Sequence, residues 1–166
     1  MTVSEAITAS GITPSASYKG VEMTDDYVLA IQTEDTQANV SAWIVCADFV
    51  KGYPAALNPT TNDATYVRTG TATTKSGQQR SFAIEGDRCV GDAFQDFCLG
   101  HNIKFGTGQD VVVPYVWFSL RTGKGEKGTA TIVVNEDASG NAGSNAGFKI
   151  DLKATAKPEE YTYSAA

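Results

Sequence analysis

Short runs of alternating apolar and polar residues recur along the chain. Residues 79–86 (QRSFAIEG) put Phe82 and Ile84 on one face of an extended segment. Residues 148–154 (FKIDLKA) do the same for Phe148, Ile150 and Leu152, and residues 129–135 (TATIVVN) for Ala130, Ile132 and Val134. Two compact apolar runs, 27–32 (YVLAIQ) and 40–46 (VSAWIVC), flank the polar stretch TEDTQAN and predict a hairpin with a long turn. Residues 111–120 (VVVPYVWFSL) are strongly β-prone, and Pro114 within them marks an edge strand or a bulge. This run and 129–135 predict a second hairpin, with a flexible basic tip at TGKGEKG.

One segment has helical spacing. Asp92 is a good N-cap with Gln95 three residues on, and Phe94, Phe97, Cys98 and His101 fall on one face. Gly100 is the expected left-handed stop, so the helix has about two turns and must dock on a sheet. Three stretches have little periodicity. Residues 1–20 and 157–166 read as terminal arms around a single domain spanning 21–156. Residues 51–79 read as a long loop, of the kind that is functional or disordered in a compact domain. The fold class expected is mostly β: a β-sandwich or barrel of about seven strands, one short flanking α-helix and a long assembly loop.

Composition narrows this picture. At 166 residues the chain can bury one core without staples. Charged residues are only 19 %, so Thr, Ser, Asn and Gly carry much of the surface. No basic stripe of the kind that grips nucleic acid is visible, and the formal net charge of -6 argues against gripped DNA but suits DNA that slides past without sticking. Cys46, Cys89 and Cys98 form no C-x-x-C pair. With no apolar core in residues 1–20 and no run of ~18 apolar residues, a chain without a membrane anchor is expected, made in a reducing cytoplasm with free thiols.

No catalytic constellation emerges, so the expectation is a non-enzyme without cofactor or metal. His101 is the single histidine, with only Cys98 on its face. The run from Gly123 to Gly128 matches G-x-G-x-x-G literally, but a strand follows where a dinucleotide site needs a helix. The oxygen-rich run from Glu136 to Asn141 lacks the calcium-loop spacing. Tyrosine and arginine in the aperiodic stretches are instead the candidates for contact between subunits: Tyr53, Tyr66, Arg68, Tyr161 and Tyr163.

Residues 80–97, strand then helix, resemble the corresponding segment of the tail tube proteins (major tail proteins) of long-tailed bacteriophages. Residues 132–152 resemble that family's closing hairpin. The resemblance covers about half the chain. It implies a subunit that assembles with itself into stacked rings, usually hexameric, whose inner sheets line a channel for DNA ejection. It also implies loops and arms as contacts, a virion location after synthesis in the host bacterial cytoplasm, and tail terminator, tape measure and distal tail proteins as further partners. Genomic DNA would pass through without sequence-specific binding. An acidic lumen is the expectation drawn from the net charge, while the strands that line it are not legible. The same fold would serve the inner tube of a contractile injection device. A β-sandwich binding module is the other reading; it wants exposed aromatics, whereas Trp43 and Trp117 sit in apolar runs.

Overall fold

The computed structural model describes residues 1–164; the last two residues of the expected C-terminal arm lie outside them. The chain opens with helix α1 (Val3–Ser10) and continues through strands β1 (Tyr27–Ile31), β2 (Ile44–Val45), β3 (Val50–Gly52), β4 (Ala55–Ala56), β5 (Thr60–Tyr66), β6 (Gly70–Gly77) and β7 (Ser81–Asp87). Helices α2 (Ala93–Cys98) and α3 (His101–Lys104) come next. Strands β8 (Val112–Ser119), β9 (Lys124–Ser139), β10 (Gly147–Ala154) and β11 (Glu159–Thr162) complete it. The fold is mostly β, as expected, and the main sheet curls into a half-barrel.

The sheet runs in the order β2-β1-β8-β9-β10-β7-β3, with β11 added to β9 and β4 to β7. Its concave side holds the larger core. Leu29, Ile31, Phe82, Ile84, Tyr115, Ile132, Phe148, Ile150 and Leu152 converge there, and α2 closes it with Phe94 and Cys98. The predicted alternation of β7 and β10 is what places these side chains. Asp92 caps α2 by accepting from Gln95 N–H at 3.0 Å. Gly100 does not take the left-handed form; it is extended and starts the separate turn α3, so His101 leaves the predicted face and is exposed.

A second apolar cluster lies on the convex side. Val28, Ala30, Val116 and Phe118 project outward and are covered by Val3, Trp43 and Leu120. Helix α1 and the chain around Tyr161 and Tyr163 therefore fold onto the body. Thr2 and Glu5 form a capping box that starts α1, and Val3, the first helical residue, is completely buried. Strand β11 pairs with β9 from Glu159↔Lys127 to Thr162↔Lys124.

Two expectations about β8 and β9 change. Strand β8 is interior, between β1 and β9, rather than an edge. Pro114 is tolerated because β1 ends at Ile31↔Tyr115: Gln32 N–H still donates to the Pro114 carbonyl, and the missing proline donor falls where the ladder stops. Residues 124–128 are strand, not a flexible tip. Gly125 is required there because a Cβ would lie 2.0 Å from the Trp117 carbonyl oxygen and 2.4 Å from Phe118 Cα.

Candidate functional site

The stretch 51–79 is not structureless. It contributes the short edge strands β3 and β4, which pair with β7, and then the two-stranded ribbon β5–β6, which forms its own sheet. Threonine on both faces gives strand propensity without alternation. The ribbon is held by its ladder, by a hydroxyl contact between Thr65 and Thr71 at 3.1 Å, and by Asp63 accepting from Thr73 at 2.7 Å. Gly70, at φ 74°, closes the tip. At the base, the Asn58 amide donates to the Gln79 carbonyl and to Ser81 Oγ. Every residue of both strands is exposed, so the ribbon has no core of its own. Two-stranded ribbons of this kind are marginal alone in water.

The predicted contact residues fall in three places. Tyr66 and Arg68 sit together at the ribbon tip, beside the fully exposed Val67. Tyr161 and Tyr163 pack on Phe118, the latter stacked at 5.3 Å between ring centroids. Tyr53 is half-buried, edge-on to Phe82, and its hydroxyl donates to the Tyr27 carbonyl at 3.4 Å. Burial pushes that hydroxyl's pKa up, with smaller contributions from Cys46 and Asp25.

Tyr53 marks a seam where the half-barrel does not close. Residues 22–27 form one wall and residues 50–55 the other. Between them lies a cleft of about 320 Å³ lined by Glu22, Met23, Thr24, Tyr27, Tyr53, Ala55 and Trp117. Trp117 stacks on Tyr27 at 4.8 Å, and the Arg80 guanidinium lies 4.7 Å from its ring. Arg80 is fixed by Glu126, whose carboxylate also accepts from the Tyr115 hydroxyl at 3.3 Å. Trp117 Nε1 is buried beside the Tyr53 hydroxyl, which it approaches without a well-aligned hydrogen bond. Trp117, expected in the core, packs against it as a partly buried residue and also lines the seam, which the sequence does not directly reveal. The available signal was the shared face of Tyr115 and Trp117, opposite the face that carries Val116 and Phe118.

A third surface is the convex face of β7, β10 and β9 beyond the reach of α1. Ala83, Glu85, Lys149, Asp151, Lys153, Thr131, Val133 and Asn135 share it by register. Lys149 pairs with Glu136 at 3.5 Å, and Asn135 donates to Asp151 at 3.0 Å. Among the described residues no group of three or more metal-type ligands occurs. Among the described residues no helix is long and apolar enough to cross a membrane.

The same fold occurs in assembled tail particles. One similar solved structure is a chain from the tail of an empty gene transfer agent particle, obtained with helical refinement in C6 symmetry. It is 15 % identical, with a TM-score of 0.56, and the match covers 86 % of this chain and 100 % of that one. A chain from the virion of a native gene transfer agent particle is 14 % identical, with a TM-score of 0.54 and the same coverage. No protein-family model and no curated protein matches the sequence.

Proposed function

We propose that this chain is a structural subunit of a phage-type tail tube. Copies associate into rings, six to a ring, and the rings stack around a channel through which DNA leaves the particle. The observation that carries this reading is the match of 86 % of this chain to the whole of a chain from a C6 tail. The fully exposed ribbon β5–β6 supports it, because a strand pair without a core gains stability by packing on a second subunit.

In this reading the polar face of β7, β10 and β9 lines the channel. Its charges nearly cancel, with Glu85, Glu136 and Asp151 set against Lys149 and Lys153, so the acidic lumen expected from the net charge is not part of this reading. A balanced surface neither grips nor strongly repels a polyanion. The acid excess sits elsewhere, with Glu22, Asp25 and Asp48 near the start of β1 and Glu34 and Asp35 beyond its end. The ends of a finished tube would meet tail terminator and distal tail proteins, and its lumen a tape measure protein. The chain contributes no catalytic step in this reading.

Sedimentation of the purified full chain over a wide concentration range tests the proposal. Growth from small species to polymers as concentration rises is expected. A single 17.5 kDa species at every concentration would overturn it.

A further inference from the structure

The seam has the chemistry of a docking site. Asp25 has no ion-pair partner among the described residues, and the two carboxylate oxygens of Glu22 take the hydroxyls of Tyr27 and Ser119 rather than a cation. Met23, on the same wall, is 67 % exposed, and Val21, just before that wall in sequence, is 91 % exposed. Negative charge beside exposed apolar side chains suits a cation flanked by apolar residues.

The chain carries such a segment at the ribbon tip. Arg68 has no ion-pair partner among the described residues, Val67 is 104 % exposed and Tyr66 56 %. Strands of this length carry the tip roughly 25 Å from its base at ~3.3 Å per residue. The base adjoins β4, which borders the seam of the same copy, so a straight ribbon holds its tip well away from its own cleft.

We infer that the β5–β6 tip of one copy docks in the seam of a second copy, with Arg68 beside Asp25 and Glu22 and Val67 against Val21 and Met23. This rests on the tail-tube reading and adds the address of the contact. Tip and seam are different surfaces of one subunit, so the contact is head-to-tail and propagates from copy to copy.

Disulfide trapping tests it. Val67→Cys and Met23→Cys are combined in a Cys89→Ser background; Cys46 and Cys98 are buried and do not compete. After assembly and mild oxidation, a ladder of covalent multimers is expected from the double variant and from neither single one. Independently, Arg68→Glu should lower the polymer fraction by about tenfold or more, and adding Asp25→Arg should restore it. Wild-type polymers with no ladder and no effect of Arg68→Glu would overturn the docking while leaving the tube reading intact. A ladder from Val67→Cys alone would place two tips together and overturn it likewise. A wild-type chain that stays monomeric would overturn both.

Discussion

At the residue scale, burial decides chemistry. Burial pushes the Cys46 and Cys98 thiols well up in pKa, with the neighbouring negative charge of Asp92 adding to it, so both stay protonated at alkaline pH where an ordinary thiol ionises. The native protein should therefore react with a thiol reagent at Cys89 alone, and at all three cysteines once denatured. Rapid modification of more than one thiol in the native state would contradict this. Gly125→Ala is a second residue-scale case. Its Cβ would meet the backbone of Trp117 and Phe118, which cannot swing aside as a flexible side chain can. Stability should fall by about 2–3 kcal/mol in a urea titration, without loss of strand signal in circular dichroism. Gln95 is wholly buried because its amide bridges otherwise unpaired backbone: it donates to the Asp48 and Asp87 carbonyls and accepts from Cys89 N–H.

At the element scale, legibility in the sequence followed whether an element buries one face. Strands β7 and β10 alternate cleanly because their inner side chains enter the core and their outer ones meet solvent. The cap of α2 was equally plain at Asp92. Helix α1 was readable in principle, since Thr2 and Glu5 form a capping box and Ala6 and Ile7 follow Val3 at helical spacing, but its small polar residues resemble an arm. Thr2→Ala should remove that cap and lower the melting temperature by about 2–4 °C. The ribbon was hidden for the opposite reason. Thr60–Tyr66 and Gly70–Gly77 are exposed on both faces, so no period-two signal exists. Pro114 misled because its meaning depends on where β1 stops, which is a long-range fact. Of the five candidate contact residues, Tyr66 and Arg68 sit on the ribbon tip, while Tyr161 and Tyr163 are engaged with Phe118 of the same chain. Replacing Thr60–Gly77 with a short turn should leave the melting temperature of the body nearly unchanged, since no residue of the ribbon is buried, and should abolish polymer formation. Normal polymers from that variant would remove the ribbon from the account.

At the scale of the whole molecule, one curled sheet divides three duties. Its concave side supplies the main core, with α2 as the lid. Its convex side is half covered by α1 and the C-terminal strand, and half left polar and open. The sheet's two ends are short strands, β2 and β3, which blunt edge-to-edge aggregation. Association through the ribbon and seam would leave the β2 edge alone, would cover the flank of β3 that lines the seam, and would use two different surfaces as a growing stack requires. The work proposed for the chain is assembly into a tube. Electron microscopy of the purified full chain at high concentration tests this most directly. Tubes of stacked six-fold rings with an open axial channel, lined by the face carrying Glu85, Lys149, Asp151 and Lys153, are the predicted result. A field of discrete single subunits, or a polymer with no channel along its axis, would contradict it.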